Sequence, residues 1–160
     1  MILDTNKDVV ELTQAICDVY SVSGSETELA DAIEATLRTC SHLEVIRSGD
    51  AIVAKTNLGR EKRVVIAGHI DTVPVADNLP TKFVEIDGKK MLWGRGTVDM
   101  KAGAAVQLKL AVEITEPNVD VTWVFYDHEE VDSALNGLGR IARTQPDLLQ
   151  ADFAVLCEPS

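Results

Sequence analysis

Apolar residues recur at helical spacing in four stretches of the chain. In the first stretch, Leu12, Ile16 and Val19 follow one another three to four residues apart. Ser25 and Glu28 have the S-x-x-E spacing of a capping box and predict the start of the second helix. The whole pattern predicts helices over residues 9–22, 26–38, 100–114 and 135–143.

Three other stretches are short and rich in apolar and β-branched residues, and the first and third of them are continuously apolar. They lie at residues 64–67, 119–126 and 153–156, and continuous runs of this kind are typical of strands that are covered on both faces. Two hairpins are also predicted, the first from strands at 43–47 and 51–56, the second from strands at 83–86 and 89–93. The second has Asp87-Gly88 at its turn, a strong hairpin signal.

Strands that alternate with helices indicate an α/β fold. We expect a three-layer sandwich in which helices cover both faces of a mixed, largely parallel, twisted sheet. The two hairpins would supply antiparallel strands at the edge of that sheet. A chain of 160 residues is long enough to bury one such core.

Composition narrows the expected partners and compartment. The net charge of −11 argues against nucleic acid, because a duplex binder needs a basic face. Three widely spaced cysteines suggest no disulfide framework, so we expect a reducing, cytoplasmic location. The sequence shows neither a signal peptide nor an apolar run of membrane-spanning length, and no membrane partner is expected.

Polar residues that can bind a metal follow each of the three apolar strands. His69 and Asp71 follow the first, residues 127–130 (DHEE) follow the second, and Glu158 follows the third. Asp99 lies at the start of the helix predicted over residues 100–114. In an open α/β sheet the carboxyl ends of the strands share one edge, so these four segments are expected to converge.

Each of these residues also has a purely structural interpretation. His69 could cap a strand while Asp71 opens a turn, and Asp99 could be a helix N-cap. Residues 129–130 could be surface charge, and Glu158 could be a turn residue before proline. Taken together, however, one imidazole and several carboxylates suit a divalent cation, and the imidazole favours Zn²⁺. A carboxylate shared by two metals would give the two-metal geometry used for hydrolysis.

Four motifs resemble, in the same order, those of the M20 family of metallopeptidases and amidohydrolases. They are GHIDTVP at residues 68–74, GRGTVDMKAG at 94–103, DHEE at 127–130 and CEPS at 157–160. The resemblance implies a zinc-exopeptidase-like fold and an enzyme that hydrolyses linear amides.

The resemblance also implies a role for each residue. His69 and Glu158 would bind one zinc, Glu130 would bind a second, and Asp99 would bridge the two. Cobalt could replace zinc. Asp71 would orient His69, and Glu129 would be the general base. The resemblance thus implies that Glu129 and Asp71 are catalytic and that the metal-binding residues are His69, Asp99, Glu130 and Glu158. The family further suggests a cis peptide after Asp99.

Within the family, the sequence is most similar to the actinobacterial enzymes that cleave N-succinyl-LL-2,6-diaminopimelate. The products would be succinate and LL-2,6-diaminopimelate, a step in lysine and diaminopimelate biosynthesis. A deacetylase acting on N-acetylornithine, or a carboxypeptidase, would use the same site on another small N-acylated substrate. A non-catalytic metal-binding domain of the same fold is the alternative from another class.

The resemblance also bears on domain organisation. Family members are much longer, carry a lid domain that forms a homodimer, and supply a late histidine to the second zinc. Residues 1–160 are therefore expected to be the N-terminal portion of a metal-dependent catalytic domain. We expect them to be inactive or weakly active alone.

Overall fold

Five of the seven strands form one mixed sheet in the computed structural model, which describes residues 1–159. The strands are β1 (Glu44–Ser48), β2 (Ala51–Lys55), β3 (Arg63–His69), β4 (Lys82–Ile86), β5 (Lys89–Trp93), β6 (Asp120–Tyr126) and β7 (Phe153–Leu156). Their order in the main sheet is β1-β2-β6-β3-β7. β3 is parallel to β6 and β7, whereas β2 is antiparallel to β1 and β6. The predicted mixed sheet is confirmed, and the three apolar runs form its parallel part.

Helices cover both faces of this sheet. They are α1 (Val9–Asp18), α2 (Thr27–Leu37), α3 (Lys101–Glu113) and α4 (Gly137–Thr144), followed by a 3-10 helix at Pro146–Leu149. One core joins the first three helices to one face through buried residues such as Ile16, Ile33 and Leu108. A smaller core lies on the other face, where Ile141 of α4 packs near Val124 of β6. The three-layer α/β sandwich is therefore confirmed.

The described residues were also searched for membrane spans. None of the helices in residues 1–159 has the length and apolar character needed to cross a lipid bilayer.

The second hairpin departs from the predicted sheet. β4 and β5 form a separate two-stranded sheet instead of extending the main one. The turn itself is as predicted, with φ of 51° at Asp87 and 72° at Gly88, as a tight hairpin turn requires. Most residues of both strands are exposed. The turn chemistry thus specifies the hairpin but does not specify which sheet it joins.

β7 also differs from its prediction. All four of its residues are exposed, although a continuous apolar run predicts a buried strand. Within residues 1–159 it pairs with β3 alone and lies at the edge of the sheet. An apolar run predicts a strand, but its burial depends on which layers cover it.

The ends of two helices are set by local capping. α1 ends at Asp18 rather than at residue 22, because the backbone at Val19 is already extended. α4 begins two residues later than predicted, where the side chain of Asn136 accepts a hydrogen bond from the N–H of Gly139.

The predicted capping box before α2 is wrong. The helix begins at Thr27, and its N-cap residue, Glu26, makes no side-chain capping bond. The carboxylate of Glu26 instead accepts the backbone N–H of His128 at 3.2 Å. Glu26 thus makes a tertiary contact and does not cap its own helix.

Candidate metal centre

The predicted site residues lie together at the carboxyl edge of the parallel strands. His69 ends β3 and pairs in register with Tyr126, the last residue of β6. Residues 127–130, which follow β6, and Glu158, which follows β7, therefore leave the sheet at this edge. Asp99 reaches the same place from the loop before α3.

His69 is completely buried and is contacted at both ring nitrogens. Nδ1 lies 3.0 Å from the carbonyl oxygen of Asp71 and 3.3 Å from its carboxylate. Nε2 lies 3.0 Å from Asp99 and 3.7 Å from Glu158. A proton on Nδ1 can be donated to Asp71. In that tautomer the lone pair of Nε2 is available to a metal that Asp99 and Glu158 would also contact.

The backbone of His69 is fixed by a close contact between β3 and α3. Its N–H lies 3.3 Å from Sδ of Met100 and donates to it. The methyl end of Met100 lies beside Gly68, where a Cβ atom would be 2.6 Å from it. Glycine at this position lets the thioether reach the strand.

Asp71 joins the ends of β3 and β6. Its buried carboxylate accepts hydrogen bonds from the Ser23 hydroxyl at 2.6 Å and from the N–H groups of Glu129 and Glu130 at 3.0 and 3.1 Å. Burial disfavours the charge of Asp71, but the bonds from His69 and these three donors outweigh it and lower the pKa of Asp71 to about 2. Asp71 therefore stays ionised and holds the backbone that carries the two glutamates.

A second network holds the turn at residues 127–130 from its other side. His128 adopts a left-handed backbone with φ of 58°, and its ring Nδ1 lies 2.8 Å from Asp127 and 3.3 Å from the buried Glu26. Asp127 also accepts two hydrogen bonds from Arg140, at 2.6 and 3.1 Å. Position 137 must be glycine here, because a Cβ atom would collide with the Asp127 carboxylate.

Sequence reasoning did not identify several of these supporting residues. They are Ser23, Glu26, Met100 and Arg140. A lone serine in a loop, or a glutamate at a helix start, has no pattern that distinguishes it from a surface residue. Their roles arise from tertiary contacts alone.

Asp99 does not cap α3, which excludes its structural interpretation. The N-cap residue of α3 is Met100, and no side chain caps this helix end. The Asp99 side chain is half exposed and its carboxylate faces His69. The cis peptide expected after Asp99 is not present, since the cis bond of residues 1–159 is Leu79–Pro80. A trans bond is the form that a non-proline peptide strongly favours.

Two groups of potential metal ligands share His69. One combines it with Glu129 and Glu130, the other with Asp99 and Glu158, and the ligand atoms within each group lie within 4.8 Å of one another. One imidazole with several carboxylates matches the ligands that zinc uses in hydrolytic sites. The chemistry of these donors therefore fits a divalent metal.

Within residues 1–159, no lysine or arginine forms an ion pair with the carboxylates of the site. Partial burial and the neighbouring carboxylates raise the pKa values of Glu129 and Glu130, although His69 opposes this shift. Burial favours the neutral form of His69, but Asp71, Asp99 and Glu158 outweigh it and raise the pKa of His69 to about 9. Carboxylates crowded in this way bind protons or cations.

A pocket of about 280 Å³ opens beside these carboxylates. Asp99 and Glu130 form one part of its wall, and Thr72 and the loop of residues 94–98 form the rest. The site therefore has an adjoining space for a small molecule.

The fold is shared with solved structures of low sequence identity. An M20 family metallo-carboxypeptidase from Sulfolobus solfataricus superposes with a TM-score of 0.70 at 18% identity, covering 96% of this chain and 38% of that protein. The aminopeptidase PepT from Bacillus cereus superposes with a TM-score of 0.73 at 16% identity, covering 99% of this chain and 44% of that protein. These similarities show the α/β fold.

Sequence comparison gives much higher identities. A Corynebacterium glutamicum succinyl-diaminopimelate desuccinylase is 47% identical over 163 residues, covering 99% of this chain and 43% of the relative. A Mycobacterium tuberculosis protein provisionally given the same name is 53% identical over 159 residues, covering 99% of this chain and 44% of the relative. The chain thus spans less than half the length of these relatives.

The family comparison covers the part of the chain that carries the site. The profile of peptidase family M20/M25/M40 matches residues 65–160. This range includes most of β3, all of β6 and β7, and all six predicted site residues. The chain belongs to the M20/M25/M40 family of peptidases.

Proposed function

We propose that this chain carries catalytic and metal-binding residues of a di-zinc amide hydrolase. The observation that supports this most directly is the buried His69, which contacts Asp71 through Nδ1 and faces further carboxylates through Nε2. Fixing the other ring nitrogen in this way orients a histidine ligand and increases its basicity.

The proposed metal ligands are drawn from the two groups of donors that share His69. His69 and Glu158 would bind one Zn²⁺, Glu130 would bind the other, and Asp99 would be shared. Bound zinc would polarise the amide carbonyl and lower the pKa of a nucleophilic water. The support is that both groups of donors lie around His69. Co²⁺ could replace zinc because it accepts the same donor types.

Glu129 is the proposed general base. Its backbone N–H donates to Asp71, which fixes its position. The pKa of its carboxyl is raised towards neutral pH, which suits a group that takes up a proton and returns it. Glu129 would take a proton from the attacking water and return it to the leaving amine. Asp71 would contribute by orienting His69 and by holding the backbone of Glu129.

The proposed substrate is N-succinyl-LL-2,6-diaminopimelate, which would yield succinate and LL-2,6-diaminopimelate for lysine and diaminopimelate biosynthesis. Two relatives that are 53% and 47% identical to this chain over the aligned residues carry the corresponding enzyme name. An N-acylated amino acid is also small enough for a pocket of about 280 Å³ to hold part of it.

We further propose that residues 1–160 are the N-terminal portion of a larger catalytic domain. The support is that two relatives align with 99% of this chain and are more than twice as long as it is. Full activity and homodimer formation would then depend on the remainder of such a protein. A cytoplasmic location is proposed because Cys17, Cys40 and Cys157 are all unpaired, as in reducing compartments.

Replacing the proposed base tests the function. In the full natural protein that contains residues 1–160, loaded with zinc, Glu129→Gln should lower the turnover number for the succinylated substrate by about 10²- to 10⁴-fold. Zinc content should stay the same, because the Gln side chain removes the base and leaves the other proposed ligands in place.

The matched control is Glu85→Gln, which makes the same change at an exposed position of β4. Its turnover should equal that of the unaltered protein. Unchanged turnover in Glu129→Gln with normal zinc content would refute the general-base role. Faster hydrolysis of an N-acetyl than of an N-succinyl substrate by the unaltered protein would refute the substrate assignment.

A further inference from the structure

Arg95, in the pocket beside the metal centre, is a cation whose side chain has no partner among residues 1–159. It lies in the loop between β5 and α3 and lines the pocket that Asp99 and Glu130 also line. Its Nε is buried and has no hydrogen-bond partner. Guanidinium groups elsewhere in residues 1–159 make at least one side-chain hydrogen bond or ion pair. Arg47 pairs with three acids, and Arg140 pairs with Asp127 although its own Nε is also unpaired.

The lack of a partner is unexpected from the charge of the chain. The net charge is −11, and carboxylates are plentiful near this pocket. Leaving a buried guanidinium nitrogen unsatisfied costs free energy, because the group has lost water without gaining an acceptor. A ligand that supplies an acceptor here would recover that loss.

The loop fixes the backbone of Arg95 through its two neighbouring glycines. At Gly94 a Cβ atom would lie 2.6 Å from the side chain of Thr81, and Gly96 has φ of 80° with Lys101 and Thr72 packed against it. The N–H of Arg95 itself donates to the carbonyl of Asn78 at 2.9 Å. Arg95 therefore starts from a defined position, which reduces the entropy lost when it binds a ligand.

We propose that Arg95 is a substrate-binding residue that pairs with a carboxylate of the N-acylated amino acid. This inference rests on the proposed function. Asp99 and Glu130, the acids on the same pocket wall, would be engaged by metal and so would not neutralise Arg95. The planar guanidinium can donate two parallel hydrogen bonds to a carboxylate, and this geometry gives selectivity as well as affinity.

A succinylated amino acid offers two carboxylate sources, one on the acyl group and one on the α-carbon. Four substrates separate them: the N-succinyl amino acid, its counterpart with a terminal amide on the acyl group, its counterpart with an α-carboxamide, and the one with both replacements. Replacing Arg95 should weaken the binding of only those substrates that retain the carboxylate with which it pairs.

The experiment compares Arg95→Gln with the unaltered protein, using the full natural protein loaded with zinc. For substrates that keep the relevant carboxylate, KM should rise about 10- to 100-fold, the effect expected when one charged hydrogen-bonding partner is lost. For substrates that lack it, KM should change little. Arg95→Lys should recover part of the loss because it keeps the charge but not the paired hydrogen bonds.

The matched control is Arg38→Gln on α2, where an exposed arginine pairs with Glu34. It should leave KM unchanged for all four substrates. Melting temperature and zinc content, measured for every variant, separate loss of binding from loss of folding. An equal KM change for all four substrates in Arg95→Gln, or no change for any, would overturn the proposal.

A direct binding measurement keeps this proposal separate from the proposed function. Succinate, and its monoamide succinamate, are titrated calorimetrically into the zinc-loaded protein without turnover. Succinate should bind the unaltered protein about 10- to 100-fold more tightly than Arg95→Gln. If the protein hydrolyses no amide yet shows this difference, the function fails and the carboxylate site stands. LL-2,6-diaminopimelate, which presents the α-carboxylate, is titrated in the same way. Equal affinity of both proteins for succinate and also for LL-2,6-diaminopimelate overturns the site.

Discussion

Two buried aspartates lie at opposite ends of strands β3 and β6 and make nearly the same hydrogen bonds. Asp71, beyond the carboxyl end of β3, accepts two backbone N–H groups and one hydroxyl. Asp120, the first residue of β6, accepts the N–H groups of Leu58 and Arg60 and the hydroxyl of Thr56, at 2.8, 2.9 and 2.8 Å. Each carboxylate thus ties a loop to the sheet.

The two ends differ in the charges around this shared arrangement. At Asp120 the nearest counter-charge is Arg63, whose Nη2 lies 3.8 Å from the carboxylate. At Asp71 the backbone that is held carries two more carboxylates, and the pKa values of both are raised. A buried aspartate that accepts backbone N–H groups is therefore a structural device in itself. The candidate site differs because the backbone that Asp71 holds carries the further carboxylates of Glu129 and Glu130.

Asp71→Asn should produce the largest effect of the comparison. In the zinc-loaded full protein we expect zinc affinity and turnover each to fall by about 10- to 100-fold, the range found when a partner of a ligating histidine is removed. One carboxylate oxygen would become an NH₂ group, which cannot accept a hydrogen bond from the backbone N–H that faces it. His69 would also lose the charged partner of its Nδ1. Zinc titration and steady-state kinetics measure the two quantities.

The same substitution at the other end, Asp120→Asn, is the matched control for that result. It should leave zinc affinity and turnover per folded molecule unchanged. A comparable loss of turnover in both variants, with both proteins folded, would show that the two ends do not differ in function.

Asp120→Asn should instead lower the free energy of unfolding. Replacing the charged acceptor leaves at least one buried N–H group poorly paired, which costs about 1–3 kcal/mol. Denaturant unfolding at neutral pH measures this loss. A change below the error of the measurement would mean that water satisfies the freed donors, and that Asp120 does not tie the loop to the sheet.

The dependence of the free energy of unfolding on pH under acidic conditions gives the smallest and most specific test. Burial opposes ionisation of Asp120, but its donors and Arg63 lower the pKa below the unfolded value of 3.8. The contribution of Asp120 is therefore fully present above that value and is lost as pH falls through the lower folded pKa. The stability difference between the unaltered protein and Asp120→Asn should shrink as pH falls below about 4. A difference that stays constant with pH would contradict the lowered pKa.

Much of this arrangement could be predicted from the sequence, because it depends on local pattern. The apolar runs before His69, Asp127 and Cys157 identified the parallel strands, and the edge rule for such sheets then brought their polar ends together. The turn at Asp87-Gly88 was equally local, since its residue types fit positive φ. The local residue pattern was therefore enough to predict both the parallel strands and the hairpin turn.

The remaining features depend on tertiary contacts that no single stretch encodes. Glu26 could not be distinguished from an ordinary N-terminal helix residue, yet its carboxylate is buried against the turn after β6. Asp99 suited a helix cap as well as a ligand until its orientation was known. The exposure of β7 depends on which layers cover it, which its own residues do not specify.

The contact between Gly68 and Met100 has a consequence for how related sequences can diverge. The two positions share one volume, because the end of the Met100 side chain occupies the place of a Cβ atom at residue 68. Alanine at position 68 would displace the thioether and deprive the His69 N–H of its acceptor. Homologues with a larger residue at 68 should therefore carry a shorter one at 100, and the two columns of an alignment should change as a pair.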